Sequence, residues 1–107
     1  MLTPPDGSAS MHVIKKKTLA EFWVRHADSK VSLSAWFREA KGAKWETPQG
    51  IKQRYRSADF LPGNRVVFNI GGNKYRLVVK IAYVPGLVYI RFIGTHAEYD
   101  KINAEII

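Results

Sequence analysis

A chain of 107 residues with 46% apolar side chains has the material for one packed domain around one core, which excludes an intrinsically disordered protein. The formal charge of +8, from 17 Lys and Arg against 9 Asp and Glu, points to a polyanion such as RNA, DNA or an anionic membrane surface; a soluble basic protein with no special partner is the plain alternative. The absence of cysteine excludes disulfides and thiolate metal sites and fits a reducing cytoplasm, and no apolar run has the length of a membrane span or a secretory-signal core.

Residues 1–10 are rich in Pro, Gly and Ser and read as a disordered leader or a vector-derived remnant, with Met11 a plausible natural start and residues 11–107 a single domain. Met-His-Val-Ile at 11–14 suggests a short strand. Thr18 and Glu21 have the spacing of a capping box, and Leu19, Phe22 and Trp23 then mark one face of a helix. A second helix is expected from Asp28 or Ser29, with Leu33, Trp36, Phe37 and Ala40 on its inner face and Gly42 as its stop. Thr47-Pro48 predicts an N-cap followed by Pro at the first helical position, opening a short helix to about Ser57. Lys52, Arg54 and Arg56 on it are either an RNA grip or an ordinary solvated face.

Three strands follow, at 65–70, 74–84 and 87–93, punctuated by Gly71-Gly72-Asn73 and Pro85-Gly86; such short connections imply antiparallel neighbours. On the second strand Tyr75, Leu77, Val79 and Ile81 share one face, and Lys74, Arg76, Val78 and Lys80 the other. On the third, Val88, Ile90 and Phe92 oppose Leu87, Tyr89 and Arg91. One sheet face is therefore expected under the helices and the other as a mixed basic surface with Arg76 and Arg91. A last helix is expected over 96–104, with His96 close to the sheet. The reading is an α+β fold with N-terminal helices on one face of a small, mainly antiparallel sheet.

The chemistry narrows by residue type. No His/Asp/Glu cluster has metal-ligand spacing, Gly71-Gly72-Asn73 joins two strands and lacks the helix and Lys of a phosphate loop, and no Ser or Cys has an evident base. Metal-independent RNA cleavage remains, with no cofactor. It needs a base for the ribose 2′-hydroxyl, cations for the charge that builds on phosphorus, and a donor for the leaving oxygen. Arg76 and Arg91 offer the cations, His96 an acid or base, and Tyr99 a proton donor or a stacking surface. Each also has a structural reading: His96 as a polar cap, the arginines as solvated or ion-paired side chains, Tyr99 as core.

Two long strings carry a family resemblance. Phe68-Asn69-Ile70-Gly71-Gly72-Asn73-Lys74-Tyr75-Arg76-Leu77-Val78-Val79 and Tyr89-Ile90-Arg91-Phe92-Ile93-Gly94-Thr95-His96-Ala97-Glu98-Tyr99-Asp100 resemble the signature of HigB toxins of type II toxin–antitoxin systems, within the RelE-like mRNA interferase superfamily, and the start at Met11 matches too. The resemblance covers residues 11–105. It implies a RelE-like fold and a cytoplasmic, ribosome-dependent endoribonuclease that cleaves translated mRNA and arrests growth. It also implies a HigA-type helix-turn-helix antitoxin, through which alone operator DNA would be bound, and no membrane partner. Arg76 matches the strand arginine that contacts the scissile phosphate, and His96 falls where a catalytic Arg or His often follows the last strand. Tyr99 and Asp100 belong to the HigB motif.

The chain departs from the RelE archetype at Val67 and Asn69, where that enzyme carries lysines, and at Ile102, where it carries a Tyr. His96 becomes the first candidate for general base and Lys74 the second. Asn69 and Asn73 either position substrate or satisfy turn backbone. Two readings stand beside the nuclease: a noncatalytic ParE-like toxin that inhibits DNA gyrase, and a noncatalytic RNA- or ribosome-binding module.

Overall fold

In the computed structural model, which describes residues 11–107, the chain runs β1 (His12–Ile14), α1 (Lys16–Arg25), a 3-10 turn (Ala27–Ser29), α2 (Lys30–Gly42), α3 (Pro48–Arg54), β2 (Asp59–Leu61), β3 (Arg65–Ile70), β4 (Tyr75–Ala82), β5 (Leu87–Thr95) and α4 (His96–Tyr99). The leader expected over residues 1–10 lies outside the described residues. The strands form one sheet in the order β1-β5-β4-β3-β2, antiparallel throughout except for the β1–β5 pair. The fold is α+β, with α1, α2 and α3 on one face of a mainly antiparallel sheet.

The main core lies between the helices and the sheet. Leu19 and Phe22 of α1, Leu33, Trp36 and Ala40 of α2, and Ile51 of α3 are buried against Val66, Phe68 and Ile70 of β3 and against Tyr75, Leu77, Val79 and Ile81 of β4. The alternation expected on β4 is therefore the one that folds, because only that face has helices to bury it. Phe68 is the aromatic centre, with ring centroids 5.4 Å from Trp36, 6.0 Å from Trp45 and 5.0 Å from Tyr55.

Several boundaries differ from expectation. Helix α1 starts at Lys16, so Thr18 lies inside its first turn and no side chain caps the helix. The reason is that β1 is pinned to β5 as far as Ile14, leaving Lys15 as the whole junction. Helix α3 opens as predicted, with the Thr47 hydroxyl accepting from Gly50 N, but ends at Arg54 rather than Ser57. Strand β2 is not expected from the sequence, since its three residues carry no readable alternation. Helix α4 has four residues instead of nine, because the chain beyond it lies down on the sheet.

The largest correction concerns β5. Val78 pairs with Phe92 while its neighbour Val79 pairs with Ile90, so Arg91 is the extra residue of a β-bulge. Beyond it the side-chain alternation inverts. Val88, Ile90 and Ile93 join the helix-side core, and Phe92 faces the other way, with Val67 and Val78. That second face is not an open basic surface either. Tyr99, Ile102, Ala104 and Ile107 pack across it, and the Ile107 main-chain oxygen accepts from Arg65 (Nε 3.0 Å, Nη2 2.9 Å) and Arg91 (Nε 3.2 Å).

Candidate active site

The end of the sheet where β4 begins and β5 finishes gathers most of the expected site. Asn69, Arg76 and Gly94 stand side by side on three neighbouring strands, on the face away from α1 and α2. His96 opens α4 two residues after Gly94, and its amide donates to the Lys74 carbonyl at 3.2 Å. Helix α4 is fixed by a complete capping box: the Thr95 hydroxyl accepts from Glu98 N at 3.1 Å, and Glu98 Oε1 accepts from Thr95 N at 2.8 Å. That amide bond holds the Glu98 carboxyl below its ordinary range. Thr95 and Glu98 have the same spacing as Thr18 and Glu21, so the signal is present in the chain at both places and is used at the second.

Arg76 is half-buried and folds back over its own turn. Its Nη1 donates to the Asn73 carbonyl at 3.0 Å and, more weakly, to the Tyr75 carbonyl at 3.4 Å. Both bonds use one nitrogen, which leaves the rest of the guanidinium fork to face solvent. Asn73 works here through its carbonyl, from a left-handed conformation (φ 90°) that Asn tolerates. Asn69 donates from Nδ2 to the Ser57 carbonyl at 3.3 Å, tying β3 to the segment before β2.

His96 is exposed and its Nδ1 lies 3.2 Å from Asp100 Oδ2, one helical turn on. A carboxylate at Nδ1 favours the tautomer with the proton there and leaves Nε2 with a lone pair directed outward. Asp100, a residue of the family motif, thus lies against the ring of the histidine that precedes it by one turn. Tyr99 packs into the second apolar cluster, its ring 6.4 Å from Phe92. Its ring therefore serves the core, and chemistry there is left to its hydroxyl.

Lys74 points elsewhere. Its ammonium ion-pairs with Asp28 of the 3-10 turn, and the Tyr75 hydroxyl donates to the same carboxylate at 2.5 Å. The hydrogen bond to Asp28 raises the Lys74 pKa and the same contact lowers that of Asp28. An amine held protonated is a poor general base, so the geometry weighs against Lys74 in that role. Arg91 sits in the bulge and holds the C-terminal segment, away from the Arg76 row.

The basic helix also has structural partners. Arg54 Nε lies 2.5 Å from Glu39 Oε2, the Tyr55 hydroxyl donates to Glu39 Oε1 at 2.6 Å, and Lys52 donates to the Ala58 carbonyl at 2.9 Å. Burial, reinforced by Glu39, pushes the Tyr55 hydroxyl well above its ordinary range. Arg56 is exposed and lines an open groove with Gln49, Lys52 and Gln53. Asp28, Glu39 and Arg65 give no sign in the sequence because their partners lie far along the chain; Asp28 and Lys74 are 46 residues apart.

Gly94 is required by close approach. A Cβ there would sit 2.5 Å from Phe92 Cζ and 2.9 Å from Glu98 Oε1, both already held by packing and capping. Gly94→Ala is expected to destabilise the fold by about 1–3 kcal/mol, as overpacking does, read as a lowered urea midpoint.

Among the described residues no group of three His, Asp or Glu side chains could hold a metal ion, and no helix is long and apolar enough to cross a membrane. A family model described as HigB toxin, the RelE-like toxic component of a toxin–antitoxin system, matches residues 29–102. Together with the α+β fold and the polar groups collected at one sheet end, this match makes the chain the toxic half of a toxin–antitoxin pair. It is 29% identical over 95 residues to the mRNA interferase HigB of Escherichia coli strain CFT073, covering 87% of this chain and 92% of that one. It is 30% identical over 96 residues to the mRNA interferase HigB of Shigella flexneri, covering 88% and 92%. The chain belongs to the HigB toxin family.

Proposed function

We propose that this toxin, a single domain over residues 11–107, is a metal-independent endoribonuclease that cleaves mRNA under translation on the ribosome, in the cytoplasm, and so arrests growth. The observation that carries the reading is the placement of His96, oriented by Asp100, beside the strand row that holds Arg76. The names of its relatives as mRNA interferases give the substrate class.

In this reading Nε2 of His96 removes the proton from a ribose 2′-hydroxyl. The 2′-oxygen attacks the adjacent phosphorus, the bond to the 5′-oxygen breaks, and that oxygen takes a proton from water as it leaves, while the imidazolium later returns its proton to solvent. The products are a 2′,3′-cyclic phosphate and a 5′-hydroxyl. Arg76 offers donors to the non-bridging oxygens, where negative charge builds in the transition state. Asp100 stabilises the imidazolium that His96 becomes. The partner is a HigA-type helix-turn-helix antitoxin, and operator DNA is met only through the complex.

Induced expression with primer extension on a reporter mRNA tests this. Cuts within translated codons, lost in the Arg76→Ala, His96→Ala double variant, are the expected result. Growth arrest with intact mRNA would overturn it in favour of a target such as gyrase.

The basic helix gives a separate expectation. Replacing Lys52, Arg54 and Arg56 together with Ala should weaken ribosome binding. It should also lower the slope of log K against log salt by roughly 2, about 0.7 for each single-strand phosphate that a side chain no longer neutralises. Unchanged binding returns the three to a solvated face with structural partners.

A further inference from the structure

The outer surface of α1 and α2 is charged in one sense and apolar where it has no reason to be. Between Lys15 and Gly42 there are seven Lys and Arg against three acidic residues. Each of the three acids already has a cation beside it: Glu21 lies 3.9 Å from Lys17, Asp28 holds Lys74, and Glu39 holds Arg54. The surface that remains is positive.

Set into it is a shallow groove of about 280 Å³ between the two helices, lined by Lys16, Trp23, Ser34, Phe37 and Arg38. Trp23 and Phe37 are its apolar walls, only partly buried against the core, and the Lys16 ammonium lies 4.7 Å from the centre of the Phe37 ring. Val24, next to Trp23, is 78% exposed, and Val31, three residues before Ser34 on α2, is 80% exposed. Neither valine serves the core, and β-branched residues do not favour an exposed helix either. Val24 lies one residue before the end of α1 and Val31 one residue after the start of α2, so the two flank the turn that joins the helices.

We infer that this α1–α2 strip is the docking surface for an acidic, amphipathic segment of the antitoxin. Helix-in-groove recognition needs an apolar groove to take the partner's anchors and a rim of charge opposite to the partner's, and Trp23 and Phe37 supply the first and Lys16 and Arg38 the second. The valines decide between a protein and an RNA partner. An isopropyl group has no hydrogen-bond donor and no flat face for a base, so it adds nothing to a phosphate-binding surface, whereas it is buried readily by Leu or Ile of a partner helix. The inference rests on the reading that an antitoxin neutralises this chain.

The test uses the full chain and the antitoxin, identified as the neighbouring-gene product that relieves growth arrest, with affinity measured by calorimetry. Val24→Glu with Val31→Glu should weaken binding about tenfold or more, through reduced burial and repulsion of the acidic partner. Val24→Thr with Val31→Thr, nearly isosteric, should weaken it a few-fold. Both should leave mRNA cleavage by the free toxin unchanged, since the strip lies on the helix side of the sheet, opposite the Arg76 row. Antitoxin affinity within about twofold of wild type for the Glu pair would overturn the inference. So would a loss confined to ribosome affinity, which would assign the strip to RNA. If no neighbouring product binds even the wild-type chain, the antitoxin reading itself fails and takes this surface with it.

Discussion

Single-turnover cleavage of mRNA on programmed ribosomes is expected to slow by about 10²–10³-fold in Arg76→Ala and by about 10²–10⁴-fold in His96→Ala. The first figure is what one preorganised donor to a developing oxyanion is worth, and the second is the range for a positioned acid or base. The double variant should fall well short of the product of the two, because groups acting on one transition state are not additive. Arg76→Lys should recover little, since an ammonium keeps the charge and loses the fork. Asp100→Asn should be milder than His96→Ala, because an amide oxygen still accepts from Nδ1 but no longer stabilises the imidazolium. His96 and Asp100 are exposed and Arg76 bonds only to its own turn, so the urea midpoint of each variant should stay near wild type. A matching fall in stability would show that these residues hold the fold rather than perform the chemistry.

Phe68→Ala is expected to cost about 3–5 kcal/mol of stability, the largest effect of any single truncation proposed for this chain. Phe68 is 1% exposed and stacks on or meets edge-on Trp36, Trp45 and Tyr55, so it joins α2, the α2–α3 connection and the segment after α3 to the centre of β3. Its removal leaves a cavity walled by rigid indoles that cannot collapse into it. Phe60, on neighbouring β2 and 37% exposed, is the control; its truncation should cost under about 1 kcal/mol. Equilibrium urea unfolding of both variants checks the contrast. Equal effects would mean that the aromatic cluster is not the organising core.

Much of this fold is legible in the sequence because burial acts through local periodicity. The inner faces of α1 and α2 and the alternation of β4 are visible in Leu19, Phe22, Leu33, Trp36, Leu77 and Val79, and the Thr47-Pro48 helix start is a local signal that the fold uses. What is not legible depends on contacts made across the chain. The bulge at Arg91 is a property of how β5 pairs with β4, and no feature of Tyr89-Ile90-Arg91-Phe92 taken alone announces it. The capping box at Thr18 fails because β1 pairing sets the helix start three residues earlier, with Lys15 at the N-cap. At the site, the family strings bring out Arg76, His96 and Asp100. They cannot show that Asp28 ion-pairs with Lys74, that Asp100 lies against His96 Nδ1, or that Arg65 and Arg91 hold Ile107 across the sheet.

The central claim is that 2′-hydroxyl attack, served by His96 and Arg76, cuts translated mRNA. Its most direct test is the chemistry of the new ends. Reporter mRNA recovered after brief induction should carry a 2′,3′-cyclic phosphate, or the 3′-phosphate it hydrolyses to, on the upstream fragment and a 5′-hydroxyl on the downstream one, at positions within codons. A 3′-hydroxyl with a 5′-phosphate would instead mark attack by water with a metal ion, and uncut mRNA in arrested cells would mark a different target; either result contradicts the account.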